Sequence, residues 1–155
     1  FHVALKHMPG MRVMCYRVLL DSYDLEGELW GKLFADMCRQ NVKRATPAHN
    51  IAVFHDESYE EKDIDVEVQC AVDGHYANTA DVFFAERPPV TAATIIYQGD
   101  YSMMADVNIA IARWIADNNY SINGPGFNIY HVSPGDTDAS ESMVTEVCFP
   151  IEQRG

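Results

Sequence analysis

Apolar residues recur along the chain at two spacings, which together predict two series of secondary-structure elements. Alternating apolar and polar residues indicate strands, whereas apolar residues three or four positions apart indicate helices with one buried face. The first series contains a strand at 11–18, a helix that begins after Ser22, and strands at 50–55 and 64–72. The second series contains a strand at 91–98, a helix at 102–118, and strands at 127–131 and 143–151.

Both series have the order strand–helix–strand–strand, and residues at matching positions indicate a duplication. The matched pairs are Tyr16 with Tyr97, Phe54 with Tyr130, and Glu67 with Glu146, separated by 81, 76 and 79 residues. We therefore predict one α+β domain over residues 1–155, built from a tandem duplication with pseudo-repeats at about 1–75 and 88–155. In this arrangement an antiparallel sheet carries both helices on one face.

Alternation within the strands assigns side chains to the two faces of the predicted sheet. The apolar positions Val66, Val68 and Val147 are predicted to face the helices, and so are His55 and His131, as satisfied core histidines. The opposite, helix-free face is predicted to collect four aromatic residues and two glutamates, which are Tyr16, Tyr97, Phe54, Tyr130, Glu67 and Glu146. We interpret this face as a ligand groove.

Aromatic rings and carboxylates on one surface suit a lipophilic cation. Ring faces attract a positive charge, and a carboxylate among apolar side chains needs a positive partner to remain ionised. The alternative is that these tyrosines and glutamates meet solvent. Trp30 lies at the edge of the first helix's apolar stripe, so it belongs either to the helix core or to the end of the pocket.

Charge and cysteine content narrow the possible functions. Eleven basic and 23 acidic residues give a net charge of −12, which argues against direct nucleic-acid binding and serves either solubility or a cationic ligand. No apolar run is long enough to span a membrane and no signal peptide is evident, so we expect a cytoplasmic protein. Because the chain begins at Phe1, we expect a processed piece or an excised domain.

No motif in the sequence predicts a metal site or a cofactor. The cysteines at positions 15, 38, 70 and 148 form no C-x-x-C pair, and we predict that all four are reduced core residues. The six histidines lack the spacing of metal ligands.

Several segments resemble the GyrI-like small-molecule-binding domain, which is also the C-terminal effector-binding module of many MerR- and AraC-type transcription regulators. The segments are the opening 3–9 (VALKHMP), the helix segment 28–33 (ELWGKL), 129–131 (IYH) and the ending 144–151 (VTEVCFPI). The resemblance covers essentially the whole chain. It implies two strand–helix–strand–strand modules with a ligand groove at their junction, and binding of hydrophobic, often cationic, drugs or dyes.

The resemblance also implies that a buried glutamate is the charge partner of the ligand. Glu146 and Pro150 match the family's C-terminal Glu-x-x-x-Pro pattern, so this role is assigned first to Glu146 and then to its duplicate Glu67. The position that corresponds to Trp30 is Asn108 in the second helix, which predicts that the two halves of the groove differ.

Three functions are consistent with these features. The first is the ligand-sensing domain of a bacterial transcription regulator, whose DNA-binding domain lies outside this chain. The second is a stand-alone protein that sequesters a toxic compound or inhibits another protein. The third is hydrolysis of reactive compounds, with Glu146 as general base aided by Tyr130 or Tyr97. Because no G-x-S-x-G motif and no nucleophilic cysteine with clear partners is present, we assign no catalytic residue.

Overall fold

A computed structural model of the protein describes residues 1–56, 62–134 and 136–155. These residues form two compact units, which we call the first unit (Pro9–Pro89) and the second unit (Phe1–Met8 with Val90–Gly155). The fold is α+β, and each unit combines one helix with an antiparallel sheet. Most of the predicted acidic loop at 56–62 lies outside the described residues.

The first unit contains the elements of the first predicted series. Its strands are β2 (Met11–Leu20), β3 (Lys43–Arg44), β4 (Asn50–Phe54), β5 (Ile64–Asp73) and β6 (Val82–Arg87), and its helix is α1 (Glu26–Arg39). The strand order is β4-β5-β2-β6, with β3 paired to the far end of β5. On α1, Leu29, Leu33 and Met37 are buried, as the helical spacing predicts.

The second unit repeats this plan. Its strands are β1 (Ala4–Met8), β7 (Val90–Gln98), β8 (Tyr120–Ile122), β9 (Gly126–Val132) and β10 (Val144–Gln153), and its helix is α2 (Met104–Asp117). The order is β1-β7-β10-β9, with β8 paired to β10. Val107, Ile111 and Ile115 of α2 pack against Ile95 and Val147 of the sheet. Burying each of these side chains contributes about 1.5–3 kcal/mol.

The helix ends repeat between the units as well. Tyr23 and Tyr101 each begin a 3-10 turn that leads into the α-helix, and Asn41 and Asn119 follow the helix ends with φ of 54° and 64°. Asparagine is one of the few residues that tolerates this left-handed conformation, which terminates a helix. Ser22, after which the first helix was predicted to begin, precedes the 3-10 turn, and its hydroxyl hydrogen-bonds Asp24 rather than a backbone N–H of the helix.

Four of the described strands, β1, β3, β6 and β8, were not predicted from the sequence. Two of them, β1 and β6, stand at the end of a strand order and extend a sheet. β6 pairs with β2, and β1 pairs with β7 rather than with the first unit. Residues Phe1–Met8 therefore group with the second unit, although the pseudo-repeat predicted at about 1–75 includes them. This pairing matters for the site below, because it carries Lys6 into the second unit.

The four cysteines are free thiols, but they are not all in the core. Cys15, Cys70 and Cys148 are buried in strands, whereas Cys38 is exposed on α1. The prediction for Cys38 was wrong because it follows the buried Met37 directly, and one residue along a helix turns the side chain by about 100°. Among the described residues, no helix combines the length and apolarity needed to cross a bilayer.

Candidate functional site

Glu146 lies in β10 on the face of the second unit's sheet that is opposite α2. Its neighbour Val147 packs against the helix, and alternation turns the Glu146 side chain to the other face, as predicted. The residue is only 4% exposed. Its Oε2 accepts a hydrogen bond from Lys6 Nζ at 2.7 Å, and its Oε1 is 2.9 Å from His131 Nε2.

These partners keep the buried carboxyl ionised. Burial alone would raise the pKa of Glu146, but hydrogen bonds from His131 and Lys6, together with the lysine charge, outweigh it and lower the pKa to about 2. Because an ionised carboxylate can only accept hydrogen bonds, His131 Nε2 is the donor in this pair. Glu146 is therefore a fixed negative charge at neutral pH.

Apolar side chains flank Glu146 on the neighbouring strands. In the antiparallel registers, Ile96 of β7 and Ile129 of β9 lie directly opposite Glu146, so all three share one face. Ile129 is buried, whereas Ile96 is 52% exposed. The second unit thus presents a carboxylate between aliphatic side chains, one of which is open to solvent.

Glu67 occupies the same kind of position in the first unit, with different partners. It lies in β5 on the face opposite α1, and it is buried. Its Oε1 is 3.0 Å from His55 Nε2, and its Oε2 accepts a hydrogen bond from Gln69 Nε2 at 2.6 Å. Arg17 lies directly opposite Glu67 on β2 and donates to Asp65. The surroundings of Glu67 are therefore more polar than those of Glu146.

Two further groups, Cys15 and Arg87, lie near Glu67 or its partner Gln69. Burial raises the pKa of the Cys15 thiol far above its usual range, and the charge of Glu67 raises it further. Arg87 Nη1 is 3.5 Å from Gln69 Oε1, so a cation from β6 contacts the amide that binds Glu67. Among the described residues, no group of three histidine, cysteine or acidic side chains is arranged to hold a metal ion.

The prediction that His55 and His131 face the helices was wrong. Each side chain hydrogen-bonds the glutamate of its own unit, on the helix-free face. His55 follows Phe54, and His131 follows Tyr130. Because both aromatic residues were assigned to the helix-free face, alternation placed both histidines on the helix side. The Glu–His pair, rather than glutamate alone, is the feature that the duplication repeats.

The four strand aromatics lie on the helix-bearing faces, so the prediction that they join the glutamates was also wrong. Tyr97 is buried in the core that contains α2. Tyr130 lies opposite Thr145, and its ring centroid is 6.0 Å from that of Tyr101, just before α2. In the second unit, both predicted tyrosines therefore lie on the face of the sheet opposite Glu146, whereas the buried Phe127, which pairs with Cys148, shares the face of Glu146.

In the first unit, the two predicted aromatic residues likewise lie on the face opposite the glutamate. Tyr16 lies opposite Val68, on the helix side, with Lys32 Nζ of α1 at 5.0 Å from its ring centroid. Phe54 also lies on this side, with its ring centroid 6.2 Å from that of Tyr23. Phe54 with Tyr23 and Tyr130 with Tyr101 are thus repeated ring pairs beside the start of each helix.

The faces were misassigned because several strands are apolar on both sides. In β4 the consecutive residues Ile51, Ala52 and Val53 are all buried, so alternation within that strand does not reveal which side chains face the helix. The register also differs between the units. Tyr97 lies opposite Thr145, which matches Val66 in the repeat, whereas Tyr16 lies opposite Val68. Relative to the matched glutamate strands, β5 and β10, Tyr16 and Tyr97 therefore differ in register by two positions.

Trp30 lies on α1, where it is half-buried. Its ring stacks on Phe34 with centroids 5.6 Å apart, and its Nε1 donates to Glu26 Oε2 at 3.2 Å. The site residue that sequence reasoning missed is Lys6, which lies in the opening segment used for the resemblance. Its strand was not predicted, so nothing in the pattern connected it with Glu146.

The hydrolytic arrangement considered from the sequence is not present in the second unit. Tyr97 and Tyr130 lie on the opposite face from Glu146 and cannot assist it in proton transfer. In addition, the pKa of Glu146 is lowered rather than raised, which makes it a weak general base at neutral pH. The site is suited to holding positive charge.

Comparison with known families shows the family of the chain. Residues 2–152 match the family described as the GyrI-like small molecule binding domain. The chain belongs to the GyrI-like family. No significant match was found among curated proteins.

Solved structures extend the comparison. The GyrI-like chain is similar to the C-terminal domain of EcmrR, with 26% identity, a TM-score of 0.86, and coverage of 98% of both chains. It also matches EcmrR in a complex with DNA, with 27% identity and a TM-score of 0.93. That match covers 98% of this chain and 57% of the EcmrR chain. This chain therefore spans little more than half the length of that relative.

A more distant structure shares the fold. It is the structure of SAV2435 bound to tetraphenylphosphonium, with 12% identity, a TM-score of 0.63, and coverage of 98% of this chain and 94% of that one. The GyrI-like chain is thus a small-molecule-binding domain that matches the C-terminal domain of EcmrR.

Proposed function

We propose that this GyrI-like domain binds a hydrophobic cation at Glu146 and acts as the effector-binding part of a bacterial transcription regulator. The observation that carries the proposal is the buried, ionised carboxylate between Ile96 and Ile129. A buried negative charge requires a positive partner, and an aliphatic wall favours an apolar one. A lipophilic cation meets both requirements.

The match to EcmrR supports a role in regulation. EcmrR has been solved in complex with DNA, and the matched chain extends well beyond this domain. The net charge of −12 repels a phosphate backbone, so we assign DNA contact to a separate N-terminal domain of a cytoplasmic protein. Ligand binding would then alter transcription by favouring one arrangement of the regulator over another.

Tetraphenylphosphonium is a suitable probe for the proposed ligand class. It carries one delocalised positive charge inside four phenyl groups and has no hydrogen-bond donor. SAV2435, which shares the fold, has been solved with this compound bound. Triphenylphosphine oxide has a similar aromatic surface without the net charge, and it serves as the matched neutral probe.

The position of Glu146 determines which side chains a cation there would contact. Ile96 and Ile129 lie beside the carboxylate, whereas Tyr97 and Tyr130 lie on the opposite face of the same sheet. A cation at Glu146 would therefore not meet Tyr97 or Tyr130. The other predicted ligand contacts, Tyr16, Phe54 and Trp30, belong to the first unit, where Tyr16 and Phe54 lie on the face opposite Glu67. Glu67 is the second proposed carboxylate.

Isothermal titration of both probes against the wild-type protein and Glu146→Gln tests the proposal. The substitution keeps the size of the side chain and removes its charge, so we expect tetraphenylphosphonium to bind at least tenfold more weakly, or about 1.4 kcal/mol. Triphenylphosphine oxide should be little affected, and the exposed control Glu141→Gln should leave both affinities unchanged. Equal affinity of wild type and Glu146→Gln for the cation would remove Glu146 from the site.

A second function, a stand-alone binder that sequesters a toxic compound, uses the same site chemistry. The two differ in what precedes this domain in the gene. An upstream helix-turn-helix segment would support the regulator, and its absence from the complete gene would favour the stand-alone binder.

A further inference from the structure

Lys6 and Glu146 differ sharply in exposure, although they form one ion pair. The Lys6 side chain is 39% exposed, whereas the Glu146 side chain is 5% exposed. Lys6 belongs to β1, which pairs with β7 and stands at the end of the strand order that the described residues of its unit form. Because β7 lies between β1 and β10, the Lys6 side chain extends from the edge strand across β7 to reach the buried carboxylate of Glu146 on β10.

We propose that Lys6 is an internal substitute for the cationic ligand, and that the ligand displaces its ammonium group from Glu146 on binding. The inference rests on the proposed function, because the ligand and Lys6 compete for the same carboxylate. It adds a residue that sets affinity and selectivity, since only a cation that interacts with Glu146 better than Lys6 does can bind.

The displacement is feasible because Lys6 can return to water. A lysine ammonium is strongly hydrated and sits on a flexible stem, so a partly exposed lysine moves into solvent at low cost. Glu146 cannot do this, since it is buried and would be left with an unpaired charge. The ligand's positive charge would replace that of Lys6, while His131 keeps its hydrogen bond to Oε1.

Glu67 shows that a direct ammonium contact is not required by the fold. Its Oε2 accepts a hydrogen bond from the neutral amide of Gln69, and Arg87 of β6 contacts that amide. The residue that matches Gln69 in the second unit is Cys148, which carries no amide. The contact between Lys6 and Glu146 is therefore a specific feature of the second unit.

Titration of tetraphenylphosphonium against substituted proteins tests the role of Lys6. Lys6→Met removes the competing charge and keeps an unbranched apolar stem, so we expect at least tenfold tighter binding than wild type. Lys6→Arg keeps a cation and should show no such gain. Lys43→Met removes one positive charge from an exposed side chain in the first unit and controls for net charge. Lys6→Gln provides a second neutral variant if circular dichroism shows that Lys6→Met does not fold.

The double variant Lys6→Met/Glu146→Gln decides whether any gain depends on Glu146. Loss of the gain in the double variant supports the displacement, whereas a gain that persists overturns it. Wild-type binding that neither neutral Lys6 variant tightens would overturn the role of Lys6 and leave the proposed function intact. Binding by Lys6→Met without binding by wild type would support Lys6 as the competitor and contradict the cationic effector. Absence of binding in all proteins would overturn both.

Discussion

The Lys6 Nζ and Glu146 Oε2 atoms are 2.7 Å apart, although the two residues are separated by 140 positions in the chain. The contact exists because β1 pairs with β7, in the unit that contains the last strand. It joins the opening segment to the carboxylate that the family resemblance assigns to the ligand. In our proposal, the stability of the second unit, its affinity for a cation and its selectivity therefore depend on the same pair of side chains.

We expect the stability of the protein to fall at low pH through Glu146. Its pKa is about 2 in the folded protein and 4.5 in the unfolded reference, so its contribution is complete above pH 4.5 and is lost as pH falls toward 2. The contribution is at most about 3 kcal/mol. Urea unfolding at several pH values should show a steeper loss in wild type than in Glu146→Gln. Equal pH slopes in the two proteins would show that Glu146 is not held ionised by its partners.

One thiol should react rapidly in the native protein. Cys38 is exposed, whereas Cys15, Cys70 and Cys148 are buried. Burial raises the pKa of the Cys15 thiol, and burial also raises that of Cys70, so both resist conversion to the reactive thiolate. With a thiol reagent, one thiol per chain should react quickly, and the other three should react only when the protein unfolds. The Cys38→Ser variant should show no rapid phase. If one of its remaining cysteines reacts rapidly, the burial of the strand cysteines is contradicted.

Substitutions on opposite faces of the second unit's sheet distinguish which surface holds the cation. Ile96→Ser removes apolar surface beside Glu146, so tetraphenylphosphonium should bind several-fold more weakly, a loss of about 1 kcal/mol. Tyr130→Leu alters the helix-bearing face and should leave the affinity within twofold. Ile109→Ser changes a similarly exposed isoleucine on α2 and controls for loss of surface hydrophobicity. A larger loss for Tyr130→Leu than for Ile96→Ser would place the ligand on the helix-bearing face.

The two duplicated glutamates should contribute unequally to cation binding. Glu67 is bound by Gln69 and His55 and lies opposite Arg17, whereas Glu146 lies between isoleucines. We therefore expect Glu67→Gln to weaken tetraphenylphosphonium binding less than Glu146→Gln does. Glu67→Gln should also lower the free energy of unfolding by about 1–3 kcal/mol, because its buried hydrogen-bonding partners lose a carboxylate. Urea unfolding of both variants checks the second part. A greater binding loss for Glu67→Gln would make Glu67 the principal charge partner.

The order of elements and the faces of both glutamates could be predicted because they depend on local patterns. Val66 and Val68 alternate with Glu67, and a charged residue between apolar neighbours defines the phase of a strand. The helix stripe at Leu29, Leu33 and Met37 is equally local. These features require no knowledge of which strands pair.

Two features could not be predicted in this way. One is which residues face the helix in a strand that is buried on both faces, and the other is the long-range ion pair. Buried Ile51, Ala52 and Val53 give no contrast between faces, so the sides taken by Phe54 and His55 depend on strand register. A two-position difference in register separates Tyr16 from Tyr97 despite their match in the repeat. The contact of Lys6 likewise depends on a strand pairing that no local pattern encodes.

An experimental structure of the protein with tetraphenylphosphonium bound would test the central claim most directly. We predict that the phosphorus atom lies within about 6 Å of the Glu146 carboxylate, a distance at which opposite charges stabilise each other. Phenyl groups should contact Ile96, and Lys6 Nζ should have withdrawn into solvent. A ligand seated on the helix-bearing face against Tyr97 or Tyr130, with Lys6 and Glu146 still paired, would contradict the claim.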